Sequence, residues 1–379
     1  MKILIYDEKL SGHHLEYLKH YCQAALKMPN DEFIICIPEL EYKAKKDYLP
    51  VPMLQKNIRY DLIEDEEVNQ ICCGSSLMYG IKKTKSIVRK VKKNDANAVF
   101  LTDFITTIPF LLFLMPRTVK VRGIIYRIFL YLKGKTSRQR YAFDLMCFLL
   151  MAKSGVMERV FILNDEECAK ELNDMFHTTK FKALADPVVD VDLSKVVNLR
   201  NELGVSDSNT IYFHFGALSE RKGTLEILKA IIMADAEILH NKTFIFAGVV
   251  RNDIRDRFYS LLSLAREKAQ IIVFDEFCSY DKLNSLCHTS DIIIMPYRQT
   301  ELSSGVLGYA AQFEKPVIGP CDGLIGKLIR NYHLGITLSR TDANGIADIL
   351  GKPIPHSQPK EYVIKNKKEN FIDNLWDGN

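Results

Sequence analysis

The sequence lacks a long uninterrupted apolar stretch. Its longest, Ile108 to Met115, has eight residues, whereas a helix that crosses a bilayer needs about 20. The amino terminus, MKILIYDEKL, reaches acidic residues at Asp7 and Glu8 and so lacks the apolar core of a secretion signal. These absences argue against a membrane-spanning chain and predict a protein that is made and kept in the cytoplasm.

Ordered cysteine spacing is also lacking. The nine cysteines are an odd number, scattered along the chain, with no CxxC pair and no Cys/His spacing typical of a metal site. This pattern argues against a disulfide framework and against a zinc site, and it favours a reducing compartment. We therefore expect no bound metal.

A recognisable nucleic-acid-binding motif is absent, although the chain is rich in cations. The net charge is +4, and the excess is concentrated in the first half. Residues 82–93 carry seven cations and residues 117–140 carry eight, with no acid in either stretch. Such stretches predict contact with an anionic ligand or surface, and without a binding motif we do not expect nucleic acid as the partner.

The segment Ile124 to Tyr141 mixes large apolar, aromatic and basic residues and contains no acid. That composition is typical of a surface that lies on anionic lipid headgroups, such as the inner face of the cell membrane. A buried helix with a solvated basic end is an equally good interpretation of the same residues. The sequence leaves both open.

The length of 379 residues suggests two domains at about 150 residues each. The first half alternates strand-like and helix-like segments, which favours a parallel sheet with helices on both faces. Strands are predicted at Lys2–Tyr6, Glu32–Ile37, Ala98–Thr102, Val119–Ile124 and Val160–Leu163.

The second half repeats this design after a break at Leu184 to Asp192, where a proline and several acids interrupt the pattern. Strands are predicted at Thr210–Phe215, Thr243–Gly248, Ile271–Phe274 and Ile292–Met295. We predict two Rossmann-like, doubly wound α/β domains that face a central cleft. Their bounds are 1–186 and 187–355, followed by a tail at 356–379 that is helical in part.

In the stretch from Asp291 to Ile318, the elements follow one another in the order that forms a phosphate-binding site. A strand is followed by a Pro296-Tyr297 break, a polar loop with Glu301, and a turn of small residues that opens an apolar helix. The turn is Ser303, Ser304 and Gly305. Backbone N–H groups and the positive end of a helix at one spot suit a diphosphate, and the adjacent carboxylate suits sugar hydroxyls.

A second loop with the same chemistry is HFGALSERKG, residues 214–223. Gly216 at the strand end lets a ligand approach the backbone, and Lys222 near the helix start offers a cation to phosphate, with Arg221 beside it. Taken alone, such a turn is more typical of plain surface. Its position before the Glu301 segment strengthens the functional interpretation.

At these residues the chain resembles the GT-B glycosyltransferases of family 4, which transfer a sugar from a nucleotide-sugar donor with retention of anomeric configuration. The resemblance covers most of the chain: the first loop with Gly12, the joint at 185–192, the 216–223 loop, and Glu301 through Pro316-Val317-Ile318. It implies a GT-B fold, a diphosphate held by Lys222 with help from Arg221, and a donor sugar contacted by Glu301.

The chain departs from the family pattern at two positions. Tyr309 stands where the family has a second glutamate that holds the ribose, and a phenol cannot make a carboxylate's charge-assisted hydrogen bond. Ala217 stands where the family usually has an arginine. We interpret both as variant donor recognition. By the same resemblance, Phe277 and Cys278 line the nucleobase, although packing is the alternative for Phe277.

Three loops of the first domain offer further candidates. Ser11-Gly12-His13-His14 follows the first strand, and because adjacent side chains diverge we favour His13 as the inward, catalytic histidine, with His14 or neither as the alternative. Asp103 follows a strand and is a candidate acceptor ligand or a helix cap. Arg122, interpreted as a strand-end cation, is a second candidate acceptor ligand.

The string Asp190-Val191-Asp192 looks like the DxD metal motif of another glycosyltransferase architecture. It lies in the joint between domains and does not follow a donor-domain strand, so we do not assign it a metal. Cations and N–H dipoles stabilise the leaving diphosphate without one. No cofactor is expected, because the nucleotide sugar is a substrate.

The sequence therefore predicts a retaining glycosyltransferase with a UDP- or GDP-sugar donor. Its acceptor is predicted to be a saccharide or lipid-linked saccharide in bacterial surface polysaccharide synthesis, bound by the basic first domain. Two alternatives remain at this point. One is another GT-B activity, either an inverting transferase or a nucleotide-sugar epimerase. The other is a non-catalytic scaffold that binds nucleotide or glycan in a polysaccharide complex.

Overall fold

The computed structural model describes residues 1–9, 14–44, 49 and 57–376. The chain divides into two compact units. Unit 1 contains Met1–Asp186 and Lys368–Asn379, and unit 2 contains Pro187–Lys367. Among the described helices, none is both long enough and apolar enough to cross a membrane.

Unit 1 is built on a seven-stranded parallel sheet with the order β3-β2-β1-β4-β5-β6-β7. The strands are β1 (Lys2–Tyr6), β2 (Glu32–Cys36), β3 (Ile58–Tyr60), β4 (Ala98–Thr102), β5 (Lys120–Ile125), β6 (Met157–Leu163) and β7 (Phe181–Leu184). The central strands are almost wholly buried, as continuous apolar runs are when helices cover both faces of a parallel sheet.

Helices cover both faces of this sheet. They are α1 (His14–Leu26), α2 (Glu39–Ala44), α3 (Asp65–Cys72), α4 (Ser76–Asn94), α5 (Ile108–Leu114), α6 (Arg138–Lys153), α7 (Glu166–Phe176) and, from the end of the chain, α16 (Lys368–Trp376). One core takes Ile87, Leu111 and Phe148 from α4, α5 and α6. The other takes Leu18 from α1 and Phe371 from α16.

Unit 2 has a six-stranded parallel sheet with the order β10-β9-β8-β11-β12-β13. The strands are β8 (Thr210–Phe215), β9 (Lys242–Ala247), β10 (Gln270–Phe274), β11 (Ile292–Ile294), β12 (Val317–Pro320) and β13 (Gly335–Leu338). Its helices are α8 (Thr224–Met233), α9 (Ala236–Leu239), α10 (Arg255–Arg266), α11 (Tyr280–Thr289), α12 (Gly305–Gln312), α13 (Gly323–Asn331), α14 (Ala343–Leu350) and α15 (Lys360–Lys365).

Both sheets run outward in two directions from their first strand, so the predicted pair of doubly wound Rossmann-like units is confirmed. The strand order reverses between β1 and β4 in unit 1 and between β8 and β11 in unit 2. Ligands of open α/β sheets bind outside the carboxyl ends of the strands at such a switch point. This rule directs attention to the loops after β8 and β11.

The segment after Pro355 is split between the two units. Helix α15 stays with unit 2, whereas α16 belongs to unit 1. There Phe371 is fully buried and its ring stacks on Tyr17 with centroids 5.5 Å apart. The sequence left this segment as a separate tail because the partners of α16 lie in α1, more than 300 residues earlier.

The segment Ile124 to Tyr141 does not present the apolar surface considered for it. Ile124, Ile125, Ile128 and Phe129 are all buried in the core of unit 1. Ile124 packs in the core that contains Leu18 and Phe371, and Ile125, Ile128 and Phe129 pack in the other core. The exposed side chains of the segment are largely basic. The membrane interpretation of this segment is therefore wrong.

Candidate functional site

The loops after β8 and β11 pack directly against each other at the switch point of unit 2. The N–H of Arg298 donates to the carbonyl O of Arg221 over 2.9 Å. Gly223 has φ +73°, and a Cβ at this position would overlap the carbonyl of Pro296. Only glycine allows both the left-handed backbone and this close approach, so Gly223 joins the two loops.

Lys222 lies at the carboxyl end of β8. Its Nζ donates to the carbonyl O of Phe215 over 3.1 Å and is 5.3 Å from the ring centroid of Tyr297. It covers Gly216, where a Cβ would overlap the ammonium. Within the described part of the chain, no carboxylate forms an ion pair with it. An uncompensated ammonium over a strand end is suited to an anion.

Arg221 is exposed beside Lys222 and shares its aromatic neighbour. Its guanidinium carbon lies 5.9 Å from the ring centroid of Tyr297. Two cations therefore meet around one buried tyrosine ring. From the sequence, Tyr297 stood out only as part of the break after β11.

A buried hydrogen-bond chain holds this arrangement in place. His214 Nδ1 donates to the carbonyl O of Ile294 over 2.9 Å, so its Nε2 accepts from the Thr224 hydroxyl over 2.9 Å. The Thr224 oxygen in turn accepts from the N–H of Ser219 over 3.0 Å. The chain connects β8, β11 and the start of α8, the three elements that position Lys222.

The pKa of His214 is lowered to about 3, chiefly by burial, with the Lys222 ammonium acting in the same direction. The imidazole is therefore neutral at physiological pH, as its acceptor role toward Thr224 requires. Sequence reasoning missed it because a histidine inside a strand looks like an ordinary core residue. The signal was its position one residue before the last of the strand.

The Glu301 loop is anchored at its base. Thr300 is buried, and its carbonyl O accepts from the N–H of Ile325 over 3.2 Å. A Cβ on Gly323 would overlap Thr300, so the loop rests against the start of α13. Glu301 follows directly and is half-buried. Glu301 thus belongs to an anchored loop and is partly accessible to a ligand.

The small-residue turn opens a helix, as predicted. The Ser304 hydroxyl accepts from the N–H of Val306 over 3.4 Å and caps α12, which begins at Gly305. Ser303, Ser304 and Gly305 are half-buried. The positive end of α12 therefore lies in the same loop as Glu301.

Tyr309 lies in the second turn of α12 and is buried, with 6% of its surface exposed. Its ring meets Phe215 edge-on, with centroids 5.4 Å apart and planes at 85°. Phe215 is the residue that accepts from Lys222. Tyr309 is thus packed behind the strand end that holds Lys222, and its assignment to the ribose stays a prediction.

Phe277 and Cys278 lie in the loop between β10 and α11. Phe277 is 85% exposed, which excludes core packing as the reason for its presence. Cys278 is buried, and burial raises the pKa of its thiol. Asp275 ties the loop to the segment after β9 and to α10. Its carboxylate accepts from the N–H of Val250 over 2.7 Å and from the hydroxyl of Tyr259 in α10 over 2.7 Å.

In unit 1, Gly12 and the favoured catalytic residue His13 lie outside the described residues. His14 is described: its Nδ1 lies 2.7 Å from a carboxylate oxygen of Asp7, which is buried directly after β1. Burial raises the pKa of Asp7, and the hydrogen bond with His14 opposes this. This pair was not predicted from the sequence, although both residues flank one strand-to-helix loop.

The two acceptor candidates have different outcomes. Asp103 is exposed after β4 with φ +48°, and the helical turns that follow it are capped without its side chain. Arg122 lies inside β5 and not at its end, so that prediction was wrong. Its guanidinium donates to the Glu158 carboxylate and, over 3.3 Å, to the carbonyl of Trp376. These contacts give Arg122 a structural role, because they hold β5 to β6 and to α16.

Asp192, in the joint, has a local role. Asp192 accepts from the N–H and hydroxyl of Ser194 over 3.2 and 2.6 Å and so caps a short turn at 193–195. Across the described residues, no cluster of His, Cys, Asp and Glu side chains has the arrangement of a metal site.

Comparison with known proteins supports the fold. The chain is 25% identical over 193 residues to an uncharacterised glycosyltransferase of Methanocaldococcus jannaschii, which is 50% of this chain and 47% of that protein. It therefore matches only about half the length of this relative. No family model matches the chain.

Solved structures match over nearly the whole length. The Anabaena protein HepE, in complex with UDP-glucose, superposes with a TM-score of 0.68 at 12% identity over 99% of this chain and 98% of that one. WaaG, a glycosyltransferase involved in lipopolysaccharide biosynthesis, superposes with a TM-score of 0.65 at 11% identity over 100% and 96%. The fold is that of the GT-B glycosyltransferases.

Proposed function

We propose that this protein is a glycosyltransferase that moves a sugar from a nucleotide-diphosphate-sugar donor to an acceptor. One observation carries the proposal: the Lys222 ammonium lies over Gly216 at the switch point of unit 2, with no carboxylate partner among the described residues. The leaving group of such a reaction is a nucleoside diphosphate anion. A fixed cation at this place stabilises the charge as it develops.

Three loops of unit 2 have a proposed task at the donor. Lys222, with Arg221, holds the diphosphate, and Ser303, Ser304 and Gly305 add the positive end of α12. Glu301 accepts hydrogen bonds from the sugar hydroxyls. The exposed ring of Phe277, with Cys278 behind it, is placed in a loop of the same sheet edge and lines the base. UDP is the first nucleotide to test, because HepE was crystallised with UDP-glucose.

The proposed mechanism retains the anomeric configuration, as in the family 4 enzymes that the sequence resembles. With Glu301 assigned to the sugar hydroxyls, we propose no residue as a nucleophile, which favours a front-face route. In that route the leaving phosphate oxygen takes the proton of the acceptor hydroxyl while that hydroxyl attacks the anomeric carbon. Lys222 and the α12 terminus stabilise the departing diphosphate, and no metal is needed.

The acceptor is proposed to be a saccharide or lipid-linked saccharide, used in assembling a surface polysaccharide on the cytoplasmic side of the membrane. The support is the cationic character of unit 1. Its candidate ligands are Asp103 and the loop that carries His13. A hexose is the expected sugar.

Replacing Lys222 tests the site. We expect Lys222→Ala to lower the release of UDP or GDP from the preferred donor by about 100-fold or more, as the loss of a transition-state charge ligand does. Lys268→Ala is the matched control, because Lys268 is an exposed lysine just after α10, and its nucleotide release should equal that of the wild type. Wild-type release is measured first across a panel of UDP- and GDP-sugars. Unchanged turnover in Lys222→Ala would disprove the assignment.

The Asp7–His14 pair favours a second candidate, an inverting transferase. A carboxylate on Nδ1 orients an imidazole so that Nε2 accepts a proton, which is the arrangement of a general base for an acceptor hydroxyl. A base of this kind is needed for inversion but not for the front-face route. We expect a product with retained configuration. If the product is inverted and its formation is lost in His14→Ala, the inverting transferase replaces the retaining one as the proposed function.

The anomeric configuration of the product, determined by NMR, separates these candidates. The same spectra detect an epimerised nucleotide sugar, which would identify an epimerase. Absence of nucleotide release from every donor, combined with measurable UDP or GDP binding, would identify the non-catalytic scaffold.

A further inference from the structure

The helical layer formed by α4, α5 and α6 exposes large apolar side chains. Phe113 and Leu114 on α5 are 81% and 47% exposed, and Met146 and Leu149 on α6 are 42% and 43% exposed. Helix α5 contacts both α4 and α6, so these side chains belong to one layer of unit 1. Clustered exposed apolar residues mark an interaction surface, whereas single ones are ordinary.

The same layer presents no exposed carboxylate. Helices α4 and α5 contain no aspartate or glutamate. Helix α6 contains only Asp144, which is fully buried and ion-paired with Arg127 and Arg140. Whatever covers this layer therefore meets cations and apolar groups without an opposing negative charge.

Two lysines of α4 supply the cations. Five of the seven cations in residues 82–93 are held by carboxylates or backbone carbonyls: Lys82, Lys83, Arg89, Lys90 and Lys93. Lys85 and Lys92 are exposed and form no ion pair with any described residue. Together with Leu114 they line a shallow groove on the surface, which joins the cations directly to the apolar side chains.

We propose that this layer is a docking surface for a lipid bilayer with anionic headgroups. The lipid-docking surface is defined by Lys85, Lys92, Phe113, Leu114, Met146 and Leu149. Its apolar side chains enter the boundary between headgroups and acyl chains, while the lysines contact lipid phosphates. Transfer of leucine and methionine side chains from water into hydrocarbon lowers the free energy, and a nucleic acid offers no such environment. The composition of the surface therefore favours lipid over a soluble polyanion.

This inference deepens the proposed function. It rests on that function for the nature of the acceptor, because a lipid-linked saccharide resides in a membrane. The surface itself follows from exposure and charge alone. It also moves the membrane contact away from Ile124 to Tyr141, whose apolar residues belong to the core.

Flotation with vesicles tests the apolar part. The full chain should bind vesicles of phosphatidylcholine with phosphatidylglycerol and should not bind phosphatidylcholine alone. We expect Phe113→Ser with Leu114→Ser to weaken binding roughly tenfold or more. Leu193→Ser, at an equally exposed site in unit 2, is the matched control and should bind like the wild type. Circular dichroism checks that all variants are folded.

The cationic part is tested with single substitutions of its two lysines. Lys85→Ala and Lys92→Ala should each weaken binding to the anionic vesicles by about fivefold. Lys268→Ala with Lys352→Ala removes two exposed charges from unit 2 and should have no effect. Added salt should weaken vesicle binding by the wild type as much as the lysine substitutions do. It should not reduce the binding that depends on Phe113 and Leu114.

Three results would overturn the proposal: no binding of the wild type to anionic vesicles, wild-type binding by the Phe113/Leu114 variant, or binding only to a mixed-sequence single-stranded RNA. UDP binding, measured by calorimetry without vesicles, keeps this test separate from the proposed function. A chain that floats as expected but binds neither UDP nor GDP contradicts the proposed function alone. A chain that binds nucleotide but does not float contradicts the docking surface alone.

Discussion

Gly216 and Lys222 occupy the same small volume at the carboxyl end of β8. The glycine has φ +90°, and its missing side chain leaves the space in which the ammonium lies. The motif from Gly216 to Gly223 could be found in the sequence, but its purpose could not. Only the fold shows that the first glycine of the loop makes room for its lysine and that the last one packs on Pro296.

Substitution of Gly216 should reveal this relation. Gly216→Ala adds a Cβ where Lys222 Nζ lies, so we expect UDP affinity to fall about tenfold through displacement of the charged ligand. Gly204→Ala is the matched control, because Gly204 also has a positive φ of 62° but nothing within 4 Å of a Cβ. Calorimetric titration with UDP should give wild-type affinity for Gly204→Ala. Equal losses in both variants would contradict the displacement.

His214 predicts a pH effect with a definite sign. Its folded pKa of about 3 lies below the usual value of 6.5, so its stabilising contribution is complete above about pH 6.5 and declines as the pH falls toward 3. A neutral replacement, His214→Gln, removes this dependence. Between pH 7 and pH 5 the stability advantage of the wild type over the variant should shrink by roughly 2 kcal/mol.

Urea unfolding of the wild type and His214→Gln at pH 7 and pH 5 measures this change. Carboxylates that titrate in both proteins cancel in the difference. A difference that does not vary with pH would mean that the imidazole is not held neutral by burial.

At the scale of elements, long buried segments could be predicted and short edge strands could not. Strands β1, β4 and β8 have the predicted bounds. Three of the four edge strands, β3, β7 and β13, were missed, since three or four residues are too few to show a period. Their pairing with a neighbouring strand creates them.

Helix α16 is the clearest case of an element placed by tertiary contacts. Phe371 is fully buried on Tyr17, and Leu375 is fully buried in the same core. We expect Phe371→Ala to destabilise unit 1 by about 3–5 kcal/mol, as large core truncations do. Thermal denaturation measures the change. Glu369→Ala, an exposed residue of the same helix, should shift the midpoint by little, and an equal shift would contradict the packing.

At the scale of the whole molecule, the chain leaves unit 1 after Asp186 and returns to it at Lys368. Unit 1 is therefore built from both ends of the sequence, while unit 2 is continuous. This arrangement predicts that unit 2 folds when it is expressed alone and that unit 1, cut after Asp186, does not. Unit 2 carries its whole core in one segment, whereas unit 1 loses Phe371, Ile372 and Leu375 from its core when it is cut after Asp186.

Fragments test this prediction. Residues 187–367 alone should show a dispersed NMR spectrum and bind UDP if the site assignment is right. Residues 1–186 alone should lack a cooperative thermal transition and regain one when a peptide of residues 368–379 is added. A fragment 1–186 with the same transition with and without the peptide would show that α16 is dispensable.

By itself, the sequence determined the class of fold, the joint near Asp186, and the two loops around Lys222 and Glu301. These follow from local signals: apolar periods, strand-end glycines, and a turn of small residues before a helix. Tertiary structure alone decided that Arg122 and most of the lysines of α4 are paired, that His214 supports the Lys222 loop, and that Ile124 to Phe129 are core. Pairing, burial and exposure depend on residues far apart in the chain, and no local pattern records which of them meet.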